Sequence, residues 1–271
     1  MELELKMLWA ALVAYVVSGC VAVIGVVLKK NKYETPFQLF LWLALILHTV
    51  AIGLRWTRLG YGPFISMFDI LSSNVLSLLF FYALAYWRFR PIRPTSAFVL
   101  PVMFIMMAWL VVIGPMDGRL PPTYDTIWLY IHIGFGKIFM GAALVALGMA
   151  LVILSRRFNV GSSYFKSLPD DKSLDELSYR FMALGFIFDA LMLVAGGIWA
   201  QDAWGRYWAW DPLETWSFIT WLTLAFALHT RITLKPSPPV GAVLIILVFV
   251  LGYLTFFGIP FITQSPHKGV I

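Results

Sequence analysis

The chain has 271 residues, of which 61% are hydrophobic, 17% aromatic and 13% charged, about half the charged share of a soluble globular protein. That balance excludes a soluble enzyme, a disordered tail and a nucleic-acid module. The net charge of +6 is not a nucleic-acid signal, because most cations sit between apolar runs, where they set membrane topology.

Apolar stretches fall at about 8–28, 37–56, 64–87, 97–114, 126–154, 178–200, 213–231 and 240–258, each near the roughly 20 residues that cross a bilayer as a helix. They predict an all-α, polytopic membrane bundle of about eight transmembrane helices, a single transmembrane domain over 1–271. Lys29, Lys30 and Lys32 follow the first span, Arg88, Arg90 and Arg93 the third, Arg156, Arg157 and Lys166 the fifth, and Arg231 and Lys235 the seventh. Every second connection is therefore predicted to be cytoplasmic, with both termini on the outer, periplasmic side. Arg55 and Arg58, after the second span, run against this rule and are expected to snorkel or to meet an anionic group. The acidic start Met1-Glu2-Leu3-Glu4 argues against a cleaved signal. Val17-Ser18-Gly19-Cys20 resembles a lipoprotein box, but the apolar run continues past it to Leu28. The polar stretch 156–177 reads as an ordinary connection. The one cysteine, Cys20, allows no internal disulfide and no CxxC pair.

Four histidines occur. His132 is predicted near the outer end of the fifth span and His267 in the outer tail, so the two can meet on one face. His48 lies within the second span and His229 near the cytoplasmic end of the seventh. Neutral imidazole is a haem-iron ligand, so two haem sites are open to these pairs. Equally, each histidine can hydrogen-bond a neighbouring helix. The depths of His48 and His229 differ: at about 1.5 Å per residue, His48 stands roughly 16 Å from the cytoplasmic end of its span.

The most specific pattern runs from Gly196, with Trp199, Trp204, Trp208, Trp210, Trp216 and Trp221 in 23 positions, half of the chain's 12 tryptophans. An interfacial aromatic belt accounts for two or three of them but does not call for Asp202, Asp211, Pro212 and Glu214 in their midst. Indole faces offer a flat apolar platform suited to a macrocycle such as a porphyrin, while Arg206 and the carboxylates can orient a polar edge. Asp211 before Pro212 also has the form of a helix N-cap with proline at the first helical position.

The segment Trp204-Gly205, Trp208, Trp210-Asp211-Pro212, Glu214-Thr215-Trp216 resembles the signature of the WWD-domain haem-handling proteins of cytochrome c maturation, and most of all the CcsA/ResC family of the system II machinery. His229-Thr230-Arg231 is similar to that family's inner histidine element. Departures include Leu213 where the family has lysine, Gly60-Tyr61-Gly62-Pro63 without the family's histidine, and Ser265-Pro266-His267-Lys268, so His267 matches by position alone.

The resemblance implies a haem-handling component of the cytochrome c synthase. Such a protein binds haem b, presents it on the outer membrane face over segment 196–221, and helps its thioether attachment to the CxxCH motif of an apocytochrome c. It implies axial iron ligation by His132 and His267 outside and by His229 and His48 within the membrane. Trp199, Trp204, Trp208, Trp210, Asp211, Trp216 and Arg206 would contact the haem, with Arg206 foremost for the propionates and Arg55, Arg58 and Arg119 behind it. Asp211 and Glu214 are weak candidates for acid–base roles, with helix capping the alternative. Implied partners are a CcsB/ResB-type membrane protein, the apocytochrome, a thiol-reducing system and membrane lipid, with no nucleic acid. The implied location is the bacterial plasma membrane, with a thylakoid-type membrane second. Two other functions stay open: a haem transporter without ligation activity, and a di-haem membrane electron-transfer protein.

Overall fold

The computed structural model describes residues 1–28, 30–166 and 168–262. His267 lies outside the described residues. Among those described, the ordered elements are helices: α1 (Glu2–Leu28), α2 (Glu34–Leu59), α3 (Met67–Arg88), α4 (Ser96–Ile113), α5 (Ile127–Arg157), α6 (Asp171–Trp204), α7 (Pro212–Thr233) and α8 (Pro238–Tyr253). A single π turn, Leu254–Gly258, carries α8 into the short α9 (Ile259–Ile262). Seven of these helices are long and apolar enough to cross a membrane, which fits the expected polytopic helical membrane protein. α7 is the seventh predicted span and forms as a helix of 22 residues. It is not among those seven, since threonines, Glu214, Ser217 and His229 break up its apolar run.

Two compact units divide the chain: residues 1–118 with 158–169, and residues 119–157 with 170–271. In the first, α1 to α4 pack as successive antiparallel neighbours, with α1 against both α2 and α4. One end of this unit holds an ion network. Arg55, 4% exposed, reaches Glu4 at 3.3 Å, Asp69 at 2.5 Å and Asp117 at 3.2 Å. Arg58 contacts Glu4 and Asp117, each at 2.7 Å. The anionic groups that meet these arginines are thus acidic side chains of the same unit. The Arg58 hydrogen bond holds the Asp117 carboxyl below the usual carboxylate range. Asp69 also closes a capping box with Ser66 at the start of α3, so one carboxylate both caps a helix and neutralises a buried cation.

His48 lies in this unit. It is fully buried on α2, with Nδ1 3.4 Å from the Tyr15 hydroxyl and Nε2 3.0 Å from Ser72 Oγ.

The second unit is built on the α5–α6 pair, the longest helices, with α7 and α8 against them. α6 starts at Asp171, earlier than its apolar run, because the Asp170 side chain accepts from Ser173 N–H and caps it. Much of the stretch read as a plain connection is therefore helix. Close approach of α5 and α6 depends on small residues: a Cβ at Gly136 would stand 2.9 Å from Met192 Sδ. At one end of the unit Arg231 pairs with Asp175 at 2.8 Å. At the other lie the start of α5, the end of α6 and the start of α7, which together carry the tryptophan-rich segment.

Candidate functional site

His132 sits near the start of α5, half-buried. Its Nδ1 lies 2.9 Å from the Met192 carbonyl oxygen on α6. A carbonyl only accepts, so Nδ1 carries the proton and the lone pair of the neutral ring falls on Nε2. The ring stacks on Trp199 at 6.1 Å between centroids and 15° between planes. It lies over Gly196, where a Cβ would stand 2.7 Å from Nδ1. Three consecutive turns of α6 therefore fix one imidazole through a carbonyl, a missing side chain and an indole face.

Around Trp199 a first aromatic cluster forms. Trp204 meets it edge-on at 4.9 Å, and Tyr124 touches both rings, at 5.1 and 5.7 Å. The Trp199 indole N–H donates to the Tyr124 carbonyl at 3.3 Å. Burial raises the Tyr124 hydroxyl above its ordinary value, so it remains a neutral donor. A second cluster follows the α6–α7 turn: Trp208, Trp210 and Phe218 meet edge-on at 5.6–6.3 Å. Phe218 stacks on Trp221 at 5.9 Å, and Trp221 on Phe186 at 5.3 Å.

The turn between the clusters is strained. Trp210 has φ 58°, a left-handed conformation that costs a bulky residue roughly 1–2 kcal/mol. Glu214 holds it there. Its Oε2 accepts from the backbone N–H groups of Ala209 at 2.7 Å and Asp211 at 3.3 Å, on either side of Trp210. Thr215 Oγ1 donates to the Trp210 carbonyl at 3.2 Å. Asp211 in turn accepts from Glu214 N–H at 2.9 Å, completing a capping box at the start of α7 with Pro212 in the first turn. Trp210 projects outward, 66% exposed. The two carboxylates thus act as caps that present an indole.

Arg206 is exposed, and Trp216 is half-buried beside the buried Glu214. Trp208 Nε1 and Glu214 Oε1 are buried atoms with no hydrogen-bond partner among the described residues. Both are polar functions suited to a bound ligand's edge. His229 lies on the exposed side of α7, 3.3 Å from Thr233 Oγ1. It belongs to the second unit and His48 to the first. Sequence reasoning missed Met192 and Tyr124, and named Gly196 only as the start of the tryptophan-rich segment, without its contact with His132. No motif marks these roles, since they depend on tertiary packing. It also passed over Asp189 and Lys137, for which a signal existed: an ionisable residue inside an apolar run.

The family model described as Cytochrome C assembly protein matches residues 64–267. The chain belongs to that family. Within it the chain is of the CcsA kind. It is 29% identical over 250 residues to the cytochrome c biogenesis protein CcsA of Guillardia theta, covering 83% of this chain and 82% of the relative. It is 25% identical over 270 residues to CcsA of Prochlorococcus marinus, covering 88% and 85%. Protein NrfI of Wolinella succinogenes is 31% identical over 258 residues, which is 89% of this chain but 27% of NrfI. The solved structure of the cytochrome c haem lyase CcmF superposes with a TM-score of 0.72 at 18% identity, covering 98% of this chain and 47% of CcmF. At that identity the likeness concerns the fold. CcsA-type relatives come from both plastid-bearing and bacterial sources, so the apolar helices mark a membrane protein and the comparisons do not choose the membrane.

Proposed function

We propose that this protein binds haem b at the His132–tryptophan site, presents it on the outer membrane face, and so supports its attachment to the CxxCH motif of an apocytochrome c. The observation that carries the reading is the fixed tautomer of His132. A metal-ligating histidine commonly donates its other ring N–H to a backbone carbonyl, which is the role of Met192 here. The residues fit the group: an Nε2 lone pair, two indole clusters for an apolar ring, and, for the propionates, the donors Trp208 Nε1 and Arg206. His267 is the proposed second axial ligand. Haem supplies the vinyl carbons that the substrate's thiols join.

In this reading the chain's own residues bind and orient. His132 is held against Gly196, the Trp199 and Trp204 faces exclude water, and Glu214 and Asp211 keep the α6–α7 turn in the shape that exposes Trp210. Catalysis is then chiefly positioning, and the thiols come from the substrate. His229 is proposed to serve haem at the inner end of α7. The geometry of His48, between Tyr15 and Ser72, supports a packing role better than ligation. The proposed partners are a CcsB/ResB-type membrane protein and a thiol-reducing system, and the proposed site of action is the bacterial plasma membrane with basic loops inside. The name of CcmF as a haem lyase supports the reading by analogy of fold.

The test is co-expression with the partner and an apocytochrome c, scoring covalent haem on the separated cytochrome. His132→Ala is expected to abolish the signal, and Trp199→Ala and Trp204→Ala to reduce it at least tenfold. Unchanged attachment in His132→Ala removes the proposal.

A further inference from the structure

Asp189 lies inside the apolar run of α6 and is 1% exposed. Neither carboxylate oxygen has a hydrogen-bond partner among the described residues. An unpaired ionised carboxylate in such a place is so costly that the group takes up a proton instead.

Its neighbours are set by helix register. Gly185, Asp189, Met192 and Gly196 follow at steps of three or four and share one stripe of α6. That stripe packs on α5: a Cβ at Gly185 would stand 3.4 Å from Phe139, Met192 meets Gly136 and His132, and Gly196 meets His132. One turn before Asp189, Phe186 stacks on Trp221 of α7 at 5.3 Å. The Trp221 indole N–H is also buried with no partner among the described residues. Register therefore puts Asp189 on the α6 stripe that packs on α5, three residues from Phe186, whose ring meets Trp221 of α7, and seven residues before Gly196 at the His132 site. The seven residues to Gly196 span about 10 Å along the helix. Charged and titratable groups on the elements packed against α6 are Tyr130, His132, Lys137, Arg156 and Arg157 of α5, Glu214, His229 and Arg231 of α7, and Tyr253 of α8. On α6 itself the next acids down are Glu176, paired with Arg180 and Arg231, and Asp175, paired with Arg231.

We propose that Asp189 is an intramembrane proton-binding site that responds to charge at the His132 site. In haem-free protein it holds its proton at neutral pH. A ferric haem ligated by His132 adds a positive charge about 10 Å away. With an effective dielectric constant near 20, this weakens proton binding on the order of tenfold. One-electron reduction of such a haem, by dithionite in the test below, would remove that charge and restore the proton affinity of Asp189, with uptake of at most one proton from solvent. The coupling rests on the haem reading above; the proton site itself does not.

The experiment is infrared spectroscopy of the full chain in phosphatidylcholine vesicles, titrated with pH and followed at the C=O stretch of protonated carboxyls. Haem-free wild type is expected to show a band at neutral pH that is lost in Asp189→Asn and shifted in frequency in Asp189→Glu. Trp221→Phe is expected to shift the same band. A band unmoved by both Asp189 substitutions, or absent from wild type at neutral pH, overturns the proton site. With ferric haem supplied, the titration midpoint is expected at about tenfold higher proton concentration, returning on addition of dithionite. A midpoint indifferent to bound haem overturns the coupling. A preparation that takes up no haem by the pyridine haemochrome assay overturns the haem reading and the coupling with it, while the haem-free titration still decides the proton site.

Discussion

The imidazole of His132 rests on the backbone of Gly196, so close that a methyl group there would stand 2.7 Å from Nδ1. The contact is with a ring held by Met192 and Trp199, not with the free end of a flexible chain. Gly196→Ala must therefore displace the ring, at a cost of about 1–3 kcal/mol. We expect a lower thermal midpoint and a severalfold loss of bound haem. Gly197→Ala meets only the Tyr207 carbonyl at 3.3 Å and is expected to retain more haem. Equal haem content in the two variants contradicts the packing argument.

Glu214 and Asp211 separate a capping role from acid–base chemistry. Glu214→Gln keeps an oxygen that can accept from Ala209 and Asp211, so covalent attachment to the apocytochrome is expected to stay within a fewfold of wild type. Glu214→Ala releases the strained Trp210 turn and is expected to fail. Asp211→Ser should behave as wild type, whereas Asp211→Ala loses about 0.5–2 kcal/mol of helix capping. If the Gln and Ser variants are as inactive as the alanines, the carboxylates do chemistry.

Arg55 is a structural cation. Arg55→Met leaves Glu4 and Asp69 buried without their shared partner and is expected to destabilise the protein by about 3–5 kcal/mol in detergent. Arg58 is more exposed, its side chain at 29%, and Arg58→Met should cost clearly less. Haem bound per folded molecule should not change in either. A selective loss of haem, with the melting temperature intact, would instead place these arginines on the propionates.

The first unit should also lose stability in acid. Hydrogen bonding from Arg58 depresses the Asp117 carboxyl in the folded state. The bond's contribution is therefore complete above the ordinary carboxylate range and is lost as pH falls through the depressed folded value. Solvent exposure of Asp117, 45% for its side chain, keeps the effect small. Thermal midpoints measured from neutral pH downward should fall more in wild type than in Asp117→Asn. Parallel curves would show that the bond adds nothing.

Much of this was legible in the sequence because the bilayer enforces a simple code. Runs of some 20 apolar residues must be helices, and α1 to α6 and α8 stand where those runs do. α7 was legible for a different reason, its Asp211-Pro212 start, which is a local capping signal. The partners of Arg55 were not legible: Glu4 and Asp117 lie 51 and 62 positions away, and only tertiary packing joins them. The tryptophan segment announced a platform, but its division into two clusters depends on the strained turn at Trp210. His48 has the sequence appearance of a ligand, and only the positions of Tyr15 and Ser72 give its ring nitrogens hydroxyl neighbours.

The most direct measurement of the central claim is a reduced-minus-oxidised absorption spectrum with pyridine haemochrome quantification on the detergent-purified chain, for wild type, His132→Ala and His132→Gly with added imidazole. The account predicts low-spin b-type haem in wild type, its loss in His132→Ala, and recovery when imidazole fills the gap left by His132→Gly. Haem retained with an unchanged spectrum in His132→Ala would contradict it.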